Sequence, residues 1–186
     1  AMAACAALVA LKVDYAMIKI GLSNFNSNEN TGRFNIYNCN GVKIILDYGH
    51  NIEGYKKVLP TLRYITNGKI TGIIGVPGDR GNYVAKEIGK ISANYLDKII
   101  IKEDKDRRGK NIGEVAEVIN QGVLESKNNI KARIILDEVK ALEVAFNESI
   151  PGDTIIVFFE KLQPLLDFIK TNQSDDENLG NVANSI

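Results

Sequence analysis

The stretch FNIYNCNGVKIILDYGHN, residues 34–51, decides the fold. Residues 34–39 read as a strand. Asn40-Gly41 is a hairpin signal, because both positions tolerate the positive φ that a two-residue primed turn demands. Residues 42–47 (VKIILD) read as the next strand. Their unbroken Ile-Ile-Leu run fits a strand buried on both faces, as in a parallel sheet. A strand joined to it by so tight a turn must run antiparallel. The polar group DYGHN, 47–51, then closes the strand, and helical spacing starts at Ile52.

Downstream the pattern alternates. Helical spacing over 52–66, 83–95, 112–125, 139–146 and 162–171 is interleaved with strand-like runs at 70–76, 98–102, 132–136 and 154–159. Such alternation with short links predicts an α/β fold. Its sheet should be doubly wound, Rossmann-like and mostly parallel, with an antiparallel hairpin strand on its N-terminal side. Sheets of this kind bind ligands at the carboxyl ends of their strands.

Upstream, residues 1–11 (AMAACAALVAL) are Ala-rich and helix-favouring, with no capping residue in front. They are too apolar to stand alone and read as a helix cut from something larger. Asp14 reads as the N-cap of a second helix that ends at Gly21. The polar run from Ser23 to Gly32 reads as a linker, and the acidic stretch 172–186 as a disordered tail. The expected division is 1–24 terminal helices, 25–32 linker, 33–171 main domain and 172–186 tail.

Composition narrows the function. The chain has 186 residues, 45% hydrophobic and 25% charged, with Lys+Arg 23 against Asp+Glu 23. A balanced charge weighs against non-specific nucleic-acid binding and against a membrane-surface role, since both draw on excess positive charge. No run approaches the ~18 apolar residues of a membrane span. Cys5 and Cys39 make neither a metal spacing nor a disulfide framework, and His50 is the single histidine. These features point to a soluble, cytosolic domain.

Four strand ends carry polar or Gly-rich groups. In DYGHN, Asp47 could accept from ribose hydroxyls and Tyr48 could lie against a base; the plainer reading has Asp47 and Asn51 capping the next helix. GVPGDR, 75–80, could offer free backbone N–H groups to an anion, or be a ligand-free turn. It is neither GxGxxG nor a Walker A loop, and GxxxxGK[ST] occurs nowhere in the chain. KEDKDRRGK, 102–110, holds five cations and three anions. It reads either as a solvated loop or as a reader of zwitterions, with an Arg pairing a carboxylate and acidic groups taking an amine or guanidinium. Phe159-Glu160-Lys161 ends the last strand.

Together these groups resemble the C-terminal domain of the Mur ligase superfamily. Gly32-Arg33-Phe34 is similar to the segment that opens that domain. DYGHN is similar to its D-Y-[AG]-H-N element, in the Gly form of the cyanophycin synthetase branch. GVPGDR and Ile101-Lys102-Glu103-Asp104 resemble two further segments. The resemblance covers about residues 1–170, with 1–25 looking like the last two helices of a central ATPase domain. It departs in having Ile52 where relatives carry Pro, and in lacking D-N-P-R and G-K-G-H-E.

The resemblance implies an ATP-dependent amide-bond-forming ligase. A carboxylate attacks the γ-phosphate of ATP, and an amino acid's amine attacks the resulting acyl phosphate. In that branch arginine is joined to the aspartate side chains of a poly-aspartate acceptor. Arg33 and Asp47 are implied to reach ATP, with Tyr48, His50 and Asn51 in the same motif. Amino-acid selection is implied for Glu103, Asp104 and Glu160 toward the guanidinium, and for Arg107 or Arg108 toward the carboxylate. Mg²⁺ ligands and the phosphate loop would belong mainly to the central domain. This span alone would then be inactive. The rival reading is a nucleotide- or ligand-binding α/β module that forms no bond.

Overall fold

The computed structural model describes residues 2–24 and 30–173. They fall into two units divided between Thr31 and Gly32. The first unit holds helices α1 (Met2–Ala10) and α2 (Tyr15–Asn24). Asp14 starts α2 as expected, accepting from the Ala16 N–H at 2.6 Å. The helix does not stop at Gly21. It continues to Asn24, and the Ser23 hydroxyl donates to the Lys19 carbonyl at 2.9 Å within the same helix. Ser23 and Asn24 are therefore helical rather than linker. Most of the expected linker, 25–29, lies outside the described residues, as does the expected tail from 174 on.

The second unit carries a six-stranded sheet. Its elements are β1 (Asn35–Cys39), β2 (Val42–Asp47), α3 (Ile52–Ile65), β3 (Ile70–Ile74), α4 (Asn82–Tyr95), β4 (Lys98–Ile101), α5 (Glu114–Leu124), β5 (Ala132–Ile134), α6 (Glu138–Asn147), β6 (Thr154–Phe158) and α7 (Leu162–Asn172). The strand order is β1-β2-β6-β3-β4-β5, parallel except for β1 against β2. Asn40 and Gly41 make the hairpin turn with φ of 51° and 78°.

Side chains alternate across the sheet with period two. Ile45, Ile70, Ile74, Ile99, Ile101, Ile156 and Phe158 face one core with Tyr55, Leu59, Ile88 and Ile119 from α3, α4 and α5. Ile44, Leu46, Ile73, Ile100, Ile155 and Val157 face the other, with Leu142 and Leu165 from α6 and α7. Both faces of the central strands are thus buried, which explains their continuous apolar runs.

Three predicted boundaries in this unit move by two residues, and several others by one. β3 ends at Ile74 rather than 76, because Gly75 turns its amide and carbonyl to the Tyr55 hydroxyl instead of the ladder. α5 begins at Glu114 rather than 112, because Gly113 sits in the left-handed region at φ 81°. β5 ends at Ile134, although Ile135 still donates to the Ile101 carbonyl.

The order of connections creates a crevice. β2 and β3 lead into α3 and α4 on one face, whereas β6, lying between them, leads into α7 on the other. A sheet whose neighbouring strands leave to opposite faces opens at their carboxyl ends.

Candidate functional site

At that crevice lies a cleft of about 120 Å³. Its walls are the carboxyl-end loops of β2 (Tyr48, Gly49, His50), β3 (Gly75, Pro77), β4 (Lys102, Asp104, Asp106, Arg108) and β6 (Phe158, Phe159, Glu160). Glycines permit its shape. A Cβ on Gly49 would come within 3.1 Å of the Phe158 ring, and one on Gly75 within 2.7 Å of the Lys102 stem.

The β2 wall is built by a strap, residues 32–35. The Asn35 side-chain oxygen accepts from the Gly32 and Arg33 N–H groups, and Asp47 Oδ2 accepts from the Phe34 N–H at 2.9 Å. Tyr48 N–H returns a bond to the Gly32 carbonyl at 3.0 Å. Phe34 holds φ at 51°, the bend these bonds impose. The strap lays the Arg33 guanidinium 5.2 Å from the centre of the Tyr48 ring, a cation–π contact. Tyr48 is 42% exposed and packs edge-on against His50 at 4.9 Å. His50 Nδ1 lies 2.8 Å from the Tyr48 carbonyl.

Asp47 is 8% exposed. Burial pushes its carboxyl above the usual carboxylate range, while the Phe34 and Gly49 amides and the Arg33 and His50 charges pull it back. Asp47 therefore holds the strap and does not cap α3. Asn51 is the cap, accepting from the Gly54 N–H at 2.8 Å.

The opposite wall is an ionic network. Lys102 is 2% exposed, and its ammonium lies 2.6 Å from Asp104 Oδ1 and 2.9 Å from Glu138 Oε2. Glu138 also accepts from the Glu160 and Lys161 N–H groups at 2.7 and 3.2 Å. Glu160 in turn accepts from the Lys105 and Asp106 N–H groups at 2.9 and 3.4 Å. One ammonium faces two buried carboxylates, so Lys102, Asp104 and Glu138 together carry one formal negative charge in excess, to which Glu160 adds its own.

The structure brings Tyr48, His50, Asp104, Arg108 and Glu160 to one cleft, with Arg33 against Tyr48. Arg108 is held by Asp106 and Asp79 at 2.6 and 3.2 Å. Glu103 is not among the lining residues; its Oε2 accepts from the Gly113 N–H at 2.9 Å, away toward α5. Arg107 is not a lining residue either, and its backbone packs where a Gly78 Cβ would stand. Sequence reading missed Lys102 and Glu138 as site residues. Lys102 stood inside a run of charges, and nothing in a sequence separates a buried Lys from a solvated one. Glu138 begins a helix 34 positions after Asp104, where an acidic residue is ordinary. Among the described residues no group of three or more His, Cys, Asp or Glu could hold a metal ion, and no helix is long and apolar enough to cross a membrane.

Comparison with known proteins agrees with this architecture. The chain is 33% identical over 175 residues to cyanophycin synthetase of Synechocystis sp., an alignment covering 93% of the chain and 20% of the relative. It is 28% identical over 157 residues to the UDP-N-acetylmuramoyl-L-alanyl-D-glutamate--2,6-diaminopimelate ligase of Clostridioides difficile, covering 84% of the chain and 31% of that ligase. The chain thus spans about a fifth of the length of the cyanophycin synthetases it matches. Among solved structures, the fold matches folylpolyglutamate synthase of Thermotoga maritima with a TM-score of 0.59 and 22% identity, over 86% of the chain and 34% of that protein. It also matches a bifunctional folylpolyglutamate synthase/dihydrofolate synthase solved with Mn, AMPPNP and L-glutamate, with a TM-score of 0.58 and 18% identity, over 76% of the chain and 32% of that protein. The family model for the Mur ligase glutamate ligase domain matches residues 32–158, the sheet and the cleft loops that follow β2, β3 and β4, and the chain belongs to the Mur ligase family through that domain.

Proposed function

We propose that residues 33–171 are the C-terminal domain of an ATP-dependent amide-bond-forming ligase of the cyanophycin synthetase kind. One observation carries the reading: a single cleft has a cation on an aromatic ring at one wall and an excess of carboxylate at the other. The two walls suit the two substrates of such a reaction.

The nucleotide belongs to the β2 wall. Tyr48 offers a partly exposed ring, and Arg33 a guanidinium for charge developing on a transferring phosphoryl group. His50 borders the same ring. Asp47 and Asn51 serve this wall indirectly, one fastening the strap and the other starting α3. ATP supplies the phosphoryl group that activates the acceptor carboxylate. Its divalent ion, Mg²⁺ in this reading, takes its ligands from the central ATPase domain that we assign to the same polypeptide. Helices α1 and α2 represent that domain's end.

The amino acid belongs to the β4–β6 wall. Arginine fits, because Asp104 and Glu160 border the cleft as acceptors and Arg108 offers a donor for its carboxylate. The acceptor is a poly-aspartate chain, and the setting is the cytoplasm. Without a phosphate loop, this span alone turns nothing over.

The test is phosphate release from ATP with arginine and an aspartate-ended acceptor, using a polypeptide that joins this domain to its ATPase domain. Arg33→Ala should lower kcat roughly 10³-fold, the usual scale for losing a phosphoryl-directed Arg, with the melting temperature unchanged. Undiminished turnover would remove Arg33 from the reaction. Turnover by the 186-residue chain alone would overturn the division of labour.

A further inference from the structure

Glu138 lies outside the cleft, yet it touches both loops that form the β4–β6 wall. Its Oε2 takes the Lys102 ammonium from the β4 end at 2.9 Å and the Glu160 N–H from the β6 end at 2.7 Å. The Glu160 carboxylate then reaches back to the Lys105 and Asp106 amides. The two loops are therefore tied in both directions, and Glu138 sits where the ties meet. With Lys102 buried and Asp104 and Glu138 side chains only 10% and 11% exposed, the cluster is shielded from the solvent that would dissolve such pairs at a surface.

We propose that Glu138 is a positioning residue that sets the cleft's preference for a cationic side chain. It does so through Lys102 and Glu160, without meeting the ligand. Lys102 divides its donors between Asp104 and Glu138, so Asp104, which lines the cleft, commits only Oδ1 to the ammonium. Glu138 also contributes the second negative charge that leaves the cluster one in excess. Making it neutral removes that excess and leaves Lys102 to Asp104 alone. The guanidinium of an incoming ligand then meets a neutral Lys102–Asp104 pair, with Glu160 the remaining acceptor beside it. The inference rests on the reading that this wall takes a cationic amino acid, and its test separates the two.

The test titrates the 186-residue chain with L-arginine and with L-citrulline, the neutral isostere of arginine, by calorimetry, and follows amide hydrogen exchange on the free protein. Glu138→Gln is compared with Glu143→Gln, an exposed carboxylate on the same helix. The unaltered chain is expected to favour arginine by about tenfold or more, the scale of a charge-assisted bidentate contact. Glu138→Gln should bring that ratio within about twofold, whereas Glu143→Gln leaves it in place. Amides of Lys105 and Asp106, which Glu138 does not touch, should exchange about tenfold faster in Glu138→Gln, while those of β3 hold. An arginine preference that survives Glu138→Gln overturns the inference and spares the functional reading. No preference in the unaltered chain overturns the ligand class instead. The exchange then decides on positioning: faster at Lys105 and Asp106 supports it, and no change there refutes it.

Discussion

The two edges of the sheet both carry polar clefts, and they differ in what their polar groups do. At the amino edge, a hollow is bordered by Arg63, Tyr95, Asp97 and Asn128. Arg63 donates Nε and Nη2 to the Tyr95 carbonyl and Nη2 to Asp97, and Asp97 accepts from the Ile70 N–H. Asn128 donates to the Ala93 carbonyl. These groups close the ends of helices and strands. At the carboxyl edge Lys102, Asp104, Glu138 and Glu160 are held by one another and by loop amides rather than by the ends of helices and strands, and three of the four line the cleft. A hollow lined with charge is therefore not a site by that fact; the partners of its charges decide.

That contrast is broken most severely at Lys102. Lys102→Met leaves Asp104 and Glu138 facing each other under cover with no cation, which should cost about 3–5 kcal/mol in urea denaturation. Arg63→Met at the amino edge removes a half-exposed pair and two bonds to a carbonyl, and about 1 kcal/mol is expected. Equal losses at the two edges would erase the distinction.

Tyr55→Phe sharpens it on a smaller scale. Tyr55 is fully buried, stacks on Phe158 at 3.7 Å, and both accepts from and donates to Gly75 through its hydroxyl. Burial holds its phenol well above the usual tyrosine range. Losing the hydroxyl should cost about 1–2 kcal/mol and loosen the start of the β3 loop, seen as faster exchange at Gly75.

The smallest expected effect concerns pH. Asp47 keeps its proton to a higher pH in the folded protein than in the unfolded chain, because burial outweighs its hydrogen bonds. Its protonated form is thus favoured by folding. Its contribution to stability is full below the ordinary carboxylate range and is lost as pH rises through the folded value. Asp47→Asn should flatten the stability profile across that window. A wild-type profile that rises more steeply there than the variant's would reverse the sign.

Much of the fold was legible because burial on both faces leaves its mark in composition. Runs such as Ile44-Ile-Leu and Thr154-Ile-Ile-Val-Phe have no solvent side to alternate with. Asn40-Gly41 fixed the hairpin through its backbone demand. The strand ends pointed to the cleft, since topology puts ligands there. What stayed hidden depends on three-dimensional partners. Asp47 and Asn51 sit in one five-residue motif, yet only Asn51 caps the helix, and the strap that occupies Asp47 arrives from residue 34. Glu103 and Asp104 are adjacent, so their side chains leave the chain on opposite sides, one to α5 and one to the cleft. Glu138 acts across the sheet edge, beyond any sequence window.

The central claim is that the carboxyl-edge cleft is the ligand site and that the amino-edge hollow is structural. It is tested most directly by mapping amide chemical shifts of the ¹⁵N-labelled chain as L-arginine and AMPPNP are added. The account predicts changes at residues 33, 47–51, 102–108 and 159–161, with residues 63, 95–97 and 128 still. Changes centred on that second group, with the first group still, would contradict it.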